Sequence, residues 1–245
     1  MKRPSNISAL NWQLLQKKYN NLVPIIDKIN SGYPIQYLIG NVDFYGYIIK
    51  VNPSVLIPRF ETELLVEKTL NYIRKLNFTS SSVLDIGTGS GCISVVLKSE
   101  CKDLEITAID NSSKALYVAK SNAKMNKVKI NFILKDVFKF NLINNYDIII
   151  SNPPYIPENS NVSDNIKYEP QEAIFVKGDP LTFYDQILKI SQKCLNEKHL
   201  IAFEIDEDYG KDMVKLAKKY YPDDDILLEK DLNNKDRFLF IMNKK

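Results

Sequence analysis

An alternation of strand and helix patterns begins at Ser82, and it restricts the fold more than any other feature of the chain. Strands are predicted at 83–86, 105–110, 129–134, 146–151 and 199–205, and helices at 91–99, 113–124, 181–194 and 210–219. Such alternation builds a mostly parallel sheet with helices on both faces. Two β-rich runs at 226–230 and 237–242 close the chain, so an α/β fold with a seven-stranded sheet is expected.

Two smaller regions precede this α/β part. Residues 1–35 have a helical pattern, and an amphipathic helix there is expected to place these leucines on one side: Leu10, Leu14, Leu15 and Leu22. Residues 36–58 predict a β-hairpin that turns near Gly46, followed by a helix over 61–74. The chain is therefore divided into a helical segment 1–35, a hairpin and connection 36–58, and a main domain 59–245.

The composition favours a globular protein without a histidine-based site. Lys and Arg number 33 against 30 Asp and Glu, a balance that does not by itself predict nucleic-acid binding. His199 is the only histidine and is expected to be a packing residue, so no metal site is predicted. Three cysteines without zinc spacing indicate a reduced, cytoplasmic setting. The N-terminus has no acidic residue before Asp27, which leaves an organelle transit peptide as an alternative.

A glycine-rich turn follows the first predicted strand of the α/β part. It reads Gly87-Thr88-Gly89-Ser90-Gly91 and holds three of the eight glycines of the chain. Glycine permits a tight turn and a close approach of the backbone to a ligand. The dinucleotide pattern Gly-x-Gly-x-x-Gly would need its third glycine at position 92, where Cys92 stands. The loop therefore fits S-adenosylmethionine (AdoMet), which has no pyrophosphate, better than NAD.

Three aspartates are expected at the same edge of the sheet as this turn. Asp110 ends the next strand, where a carboxylate can bind both ribose hydroxyls of a nucleoside. Asp136 and Val137 follow the third strand, at a position suited to the edge of an adenine. Asp85 lies beneath the turn, where it either organises the loop or approaches the amino group of the donor. Each aspartate could instead be an ordinary turn or capping residue.

The sequence Ser151-Asn152-Pro153-Pro154-Tyr155 follows the fourth strand. Neither proline has a backbone N–H, so this loop offers acceptors to a planar group that carries an NH2. An amide nitrogen cannot easily be deprotonated near pH 7, so catalysis is expected to rest on positioning. Asn152 and Pro153 would each accept one N–H, and Tyr155 would stack on the planar group. These three are the predicted catalytic residues.

Several motifs together resemble the HemK-like protein-(glutamine-N5) methyltransferases of peptide chain release factors. The similar segments are 34–40, 55–63, 168–170 and 231–237, and the resemblance covers roughly residues 33–242. Asn-Pro-Pro-Tyr also occurs in enzymes that methylate amino groups of DNA and RNA. The signature Ile57-Pro58-Arg59-Phe60-Glu61-Thr62-Glu63 narrows the choice, although Phe60 stands where the family has Pro. Glu204-Ile205-Asp206 likewise replaces the family's Glu-Ile-Gly.

The resemblance implies a Rossmann-like, class I AdoMet-dependent methyltransferase fold. It implies methyl transfer to the glutamine of the Gly-Gly-Gln motif in a release factor, with S-adenosylhomocysteine as the other product. The implied AdoMet-binding residues are Gly87, Thr88, Gly89, Ser90, Gly91, Asp110, Val137 and Asn152. The glutamine-binding residues would be Asn152, Pro153, Pro154 and Tyr155, with Arg59 and Glu63 from the signature. Residues 1–35 correspond to the segment that docks the release factor.

Two other functions stay open at this point. A methyltransferase acting on N6 of adenine in nucleic acid would need a basic face and usually a target-recognition insertion, so neither a nucleic-acid substrate nor a membrane partner is expected. A non-catalytic AdoMet-binding scaffold would have no need for the loop from Asn152 to Tyr155.

Overall fold

The structure is a computed structural model that describes residues 3–5, 7–139, 145–160, 162 and 164–243. Its helices are α1 Ala9–Lys18, α2 Val23–Asn30, α3 Ile35–Ile39, α4 Phe60–Lys75, α5 Cys92–Glu100, α6 Ser113–Met125, α7 Thr182–Ser191 and α8 Gly210–Tyr220. Its strands are β1 Asn41–Phe44, β2 Tyr47–Lys50, β3 Ser82–Ile86, β4 Glu105–Asp110, β5 Asn131–Leu134, β6 Tyr146–Ser151, β7 Ile156–Pro157, β8 Phe175–Val176, β9 Leu195–Glu204, β10 Asp225–Lys230 and β11 Asp236–Asn243. No helix within the described ranges is long and apolar enough to cross a membrane.

A seven-stranded sheet forms the centre of the molecule, in the order β10-β11-β9-β6-β3-β4-β5. Strands β9, β6, β3, β4 and β5 are parallel, and β11 is antiparallel to both of its neighbours. The mostly parallel, seven-stranded sheet expected from the alternation is therefore confirmed. It is the sheet of the class I methyltransferase fold.

The register of the central strands places the loops of interest side by side. Ile86 at the end of β3 pairs with Ile109 of β4 on one side and with Ser151 of β6 on the other. The next residues along these three strands therefore emerge at one edge of the sheet. Parallel sheets bind their ligands at the carboxyl ends of the strands, and this edge is that end.

Both faces of the sheet are covered by helices, because the strands are apolar along their length. Near-continuous hydrophobic runs in the sequence are typical of strands that are buried on both faces of a sheet. Ile148 and Ile150 of β6 pack on one face with α4 and α5, and Ile149 packs on the other with α7 and α8. Together the two layers hold the sheet edge rigidly in place.

The N-terminal helices form a separate small cluster, and here two expectations were wrong. Trp12 and Leu15 of α1 are buried against α2 and α3, but Leu10 and Leu14 are 66% and 38% exposed. The chain turns before Val23, so one amphipathic helix becomes two short ones. Each short helix buries a narrow face, and the exposed leucines lie outside that face of α1.

The hairpin is confirmed, with β1 and β2 joined through Tyr45 and Gly46. Both turn residues have positive φ, 53° and 79°, as a two-residue hairpin turn requires. The side chain of Asn122 on α6 exchanges two hydrogen bonds with the backbone of Lys50, at 2.8 and 2.9 Å. The same amide donates to the carbonyl of Ser90 at 2.8 Å. Asn122 thus connects the hairpin to the glycine loop.

Candidate active site

Three glycines give the loop after β3 its shape. Gly87, Gly89 and Gly91 have φ of 73°, 56° and 79°, a region that other residues adopt at a cost. A Cβ on Gly91 would lie 3.0 Å from the Cβ of Ala119 on α6, so this glycine permits close packing of two helices. A Cβ on Gly87 would meet nothing within 4 Å. That glycine therefore borders open space rather than protein.

The loop uses its own backbone donors internally. Gly87 and Thr88 both donate their N–H to the carbonyl of Ile109, at 2.9 and 3.0 Å, and Gly91 donates to Thr88 at 2.8 Å. Gly89 donates to Oδ2 of Asp110 at 2.8 Å. A loop that binds pyrophosphate keeps such N–H groups free for the ligand. This arrangement supports the prediction that the loop does not serve a dinucleotide.

Asp85 lies fully buried under the loop. Its Oδ2 accepts hydrogen bonds from the hydroxyls of Thr88 at 2.7 Å and Ser94 at 2.6 Å. Its Oδ1 has no partner among the described residues. Burial raises the pKa of Asp85 to about 6. Neither Asp85 nor its partner Thr88 lines the cavity described below, so both hold the loop from behind.

Asp110 connects the loop to α6 at the end of β4. Its Oδ1 accepts the N–H of Ser112 at 2.8 Å, and its Oδ2 accepts the N–H of Gly89. Burial raises the pKa of Asp110, and these two hydrogen bonds offset part of that increase because they stabilise the ionised carboxylate. A carboxylate has about four lone-pair sites, so Asp110 can still accept from a ligand.

Asp136 and Val137 lie together after β5, as predicted. Oδ1 of Asp136 accepts the N–H of Phe138 at 2.9 Å, which is the turn role anticipated as the alternative. Val137 is buried, and its carbonyl accepts from Gln186 of α7 at 3.0 Å. Both residues nevertheless line the same cavity as the glycine loop.

The large cavity has a volume of about 290 Å³ and lies along the carboxyl edge of the sheet. The predicted residues in its wall are Gly87, Gly89, Asp110, Asp136, Val137, Asn152, Pro153 and Pro154. Phe138, Phe183 and Ile187 add apolar surface. Clefts of this kind, mostly apolar with a few placed polar groups, are typical small-molecule sites.

A second, smaller pocket of about 100 Å³ adjoins the first. The two share the residues Asn152, Pro153 and Pro154 of the loop after β6, together with Leu56 and Ala173. Tyr155, Arg59 and Glu204 line only the smaller pocket. The loop after β6 is therefore the wall between a nucleoside-sized cavity and a side-chain-sized one.

Behind this wall lies a network of buried polar side chains. Nδ2 of Asn152 donates to Oγ1 of Thr62 at 3.1 Å, and Thr62 donates to Oε2 of Glu204 at 2.7 Å. The hydroxyl of Tyr155 lies 3.4 Å from Oε1 of Glu204. Burial raises the pKa of Glu204 to about 7, and it also raises the pKa of Tyr155. Thr62 belongs to the quoted signature, but its contact with Asn152 could not be read from the sequence.

The two charged residues of the signature are placed differently from each other. Nη2 of Arg59 forms an ion pair with Oε1 of Glu169 at 2.6 Å, and Oε2 of Glu169 accepts the N–H of Ile57 at 3.0 Å. Glu63 lines neither pocket and lies beside Tyr45 of the hairpin turn. Arg59 is thus brought to the small pocket, and the substrate role of Glu63 stays a prediction.

Comparison with known proteins identifies the family of this chain. Residues 60–197 match the family model "Methyltransferase small domain". A release factor glutamine methyltransferase of Flavobacterium psychrophilum is 39% identical, over 96% of this chain and 80% of that protein. The chain belongs to the release factor glutamine methyltransferase family. Another member, from Bacillus cereus, is 36% identical over 97% of this chain and 86% of its own.

The fold of this family member is shared with more distant methyltransferases. A solved methyltransferase of Pyrococcus furiosus superposes with a TM-score of 0.58 at 15% identity, covering 80% of this chain and 89% of that one. This likeness concerns the fold alone. The resemblance to HemK-like enzymes noted from the motifs is confirmed by the family relatives.

Proposed function

We propose that the chain transfers a methyl group from AdoMet to the side-chain amide nitrogen of a glutamine in a peptide chain release factor. One observation carries the proposal. The large cavity and the small pocket meet at Asn152, Pro153 and Pro154, the residues whose acceptors suit an amide NH2. The names of the relatives give the release factor and its glutamine as the substrate of those proteins.

The residues of the large cavity fit AdoMet. Gly87 leaves open space where a Cβ would stand, and four of the five loop N–H groups are already bonded within the protein, so a ligand without phosphate is favoured. Asp110 would hold the ribose hydroxyls, and Asp136 with Val137 would border the adenine. Asp85, Thr88, Ser90 and Gly91 would act by shaping the loop. When bound, AdoMet supplies an electrophilic methyl group on a positively charged sulfur.

The small pocket would hold the glutamine side chain. Oδ1 of Asn152 accepts no hydrogen bond from the described residues, and neither does the carbonyl of Pro153. Each can therefore accept one N–H of the substrate amide and set the direction of its nitrogen. Such orientation can lower a barrier by ~7–11 kcal/mol, so the nitrogen need not be deprotonated first. Tyr155 and Arg59 would enclose the rest of the side chain.

The N-terminal helices keep a docking role in this proposal. Leu10 and Leu14 of α1 and Val23 of α2 are large apolar side chains exposed to solvent, at 66%, 38% and 53%. Leu10 and Leu14 are four positions apart on one helix and so lie on the same face, and adjacent exposed apolar side chains often mark a protein-binding surface. Leu10→Ser should raise the KM for release factor while kcat and the KM for AdoMet stay unchanged.

Mass spectrometry of a release factor after incubation with the protein and AdoMet tests the proposal directly. The expected result is one added methyl group on the glutamine of the Gly-Gly-Gln motif. A matched release factor with that glutamine replaced by Glu should gain none. Methyl transfer to DNA or RNA instead of release factor would establish the nucleic-acid alternative, and AdoMet binding without transfer to either would establish the scaffold.

A further inference from the structure

The amide of Asn152 has two ends of nearly the same shape, and only one of them suits the proposed reaction. The oxygen accepts a hydrogen bond and the NH2 donates one. A glutamine nitrogen presents N–H groups, so Asn152 must face it with oxygen. Something in the protein must prevent the amide from turning by 180°.

The contacts of Thr62 supply this constraint. A hydroxyl has a single proton, and Oγ1 of Thr62 lies 2.7 Å from Oε2 of Glu204. When Glu204 is ionised, its carboxylate can only accept, so the proton of Thr62 points to Glu204. The oxygen of Thr62 is then an acceptor toward Asn152, 3.1 Å away. Only the NH2 end of Asn152 can satisfy it, so Oδ1 is the end of the amide that does not face Thr62 and is left for the pockets that Asn152 lines.

We infer that Thr62 and Glu204 are positioning residues that fix the side-chain amide of Asn152 with its oxygen toward the substrate nitrogen. The inference rests on the proposed function and adds how its central residue is oriented. Both side chains are nearly inaccessible, at 3% and 2% exposure, so water does not compete for these bonds.

The same geometry makes the orientation depend on the charge of Glu204. A protonated Glu204 can donate to the oxygen of Thr62, which frees the proton of Thr62 to point at Asn152. The Asn152 amide then turns its oxygen toward Thr62 and its NH2 toward the substrate nitrogen. Two hydrogen-bond donors would face each other, so the substrate amide would not be held. The titratable or charged groups near Glu204 are Arg59, Glu61, Cys92, Tyr155, Tyr184 and Arg237. Arg237 favours the ionised form and Glu61 opposes it.

The variant Thr62→Val tests the inference, because it keeps the shape of the side chain and removes the hydroxyl. The expected result is a loss of kcat of roughly 100-fold, with an unchanged KM for AdoMet. Thr62→Ser restores the hydroxyl and should restore most of kcat. Thr69→Val is the matched control, since Thr69 is buried on the same helix and its hydroxyl, among the described residues, bonds only to the carbonyl of Leu65 at 2.7 Å. Its kcat should equal that of the unmodified protein.

The pH dependence of kcat provides a second test of the inference. In the unmodified protein, kcat should fall on the acid side with an apparent pKa near that of Glu204, about 7. Glu204→Gln should lack this acid limb. Equal kcat in Thr62→Val and Thr69→Val, or an acid limb that persists in Glu204→Gln, would overturn the inference.

An NMR measurement separates this inference from the proposed function, because it needs no methyl transfer. With 15N-labelled asparagine, the signal that disappears in Asn152→Ala identifies the side-chain NH2 of Asn152. Its exchange with water should accelerate about tenfold in Thr62→Val and stay unchanged in Thr69→Val. Equal exchange in all three proteins would exclude the positioning role even if release factor is methylated. Accelerated exchange would support it even if the substrate is another amide.

Discussion

The glycine loop after β3 and the Asn-Pro-Pro-Tyr loop after β6 lie at one edge of the sheet, yet they use their polar groups in opposite ways. The glycine loop bonds four of its five N–H groups within the protein and offers a ligand mainly shape and one carboxylate, Asp110. The second loop has few donors and leaves the Asn152 oxygen and the Pro153 carbonyl open. The first loop is therefore suited to affinity, and the second to orientation of a reacting group.

The two loops should therefore lose function in different ways when they are altered. Changes in the second loop should reduce kcat and leave cofactor binding nearly intact. Changes in the glycine loop should weaken cofactor binding or the fold. The four changes that follow test this division and the buried carboxylate behind the second loop, beginning with the largest expected effect.

Asn152→Ala should have the largest effect, because it removes the only side-chain acceptor proposed for the substrate nitrogen. The expected loss in kcat is roughly 100- to 1,000-fold, the size seen when one preorganised hydrogen-bonding group is removed from an active site. AdoMet affinity, measured by calorimetry, should fall by less than about tenfold, since Asn152 forms only part of that cavity. Unchanged turnover would contradict the division between the loops.

Glu204 should make the free energy of unfolding depend on pH, because its pKa rises from 4.5 to about 7 on folding. Below pH 4.5 the carboxyl is protonated in both states, so it has no effect. As the pH rises toward about 7, the unfolded chain loses its proton first, and stability falls by about 3 kcal/mol before levelling off. The Glu204→Gln variant should not show this decrease in the free energy of unfolding. Urea unfolding of both proteins across this range measures the difference, and the contribution of Asp85 cancels in the comparison.

Gly91→Ala should destabilise the fold without a direct effect on the pockets. The alanine would have to keep the positive φ of Gly91, and its Cβ would lie 3.0 Å from the Cβ of Ala119. A loss of about 2–3 kcal/mol in the free energy of unfolding is therefore expected. Gly46→Ala is the control, because its φ is also 79° but nothing lies within 4 Å of the added atom. It should lose only about 1 kcal/mol. Equal losses by thermal unfolding would show that the contact with α6 is unimportant.

Asp110→Ala should weaken AdoMet binding with the smallest effect of the four, roughly tenfold in Kd. The variant loses the proposed ribose contact together with the bonds to Gly89 and Ser112. Asp136→Ala should weaken binding less, because the Asp136 side chain is 34% exposed and already serves a turn. Calorimetry of both variants decides the order, and unchanged affinity in Asp110→Ala would remove the ribose assignment.

Much of the fold could be predicted because its signals are local. Long apolar runs and helical periods lie within single elements, and β4 and β6 were predicted with the bounds that the structure has. The start of β9 was not predicted correctly. Its first residue, Leu195, belongs to the strand because it pairs with Tyr146, and the local sequence pattern does not indicate this pairing. The exposure of Leu10 likewise depends on contacts that α2 and α3 provide.

The position of each loop of the site could be predicted from the sequence, but the contacts between residues of different loops and helices could not. Asp110 and Asn152 could be assigned to one sheet edge, because the alternation of strands and helices predicts parallel strands, whose carboxyl ends lie at the same edge. The bond from Asn152 to Thr62 spans 90 positions of sequence and the bond from Thr62 to Glu204 spans 142, and no pattern within one element signals either of them. Glu169, which holds Arg59 across 110 positions, belongs to a quoted motif, yet its partner required the structure.

The wall shared by the two pockets also has a practical consequence for inhibition. Because Asn152, Pro153 and Pro154 border both spaces, a compound that joins an adenosyl group to a carboxamide through a short tether could occupy them together. Binding of one end would hold the other at high effective concentration, so such a bisubstrate analogue should bind far more tightly than either fragment alone.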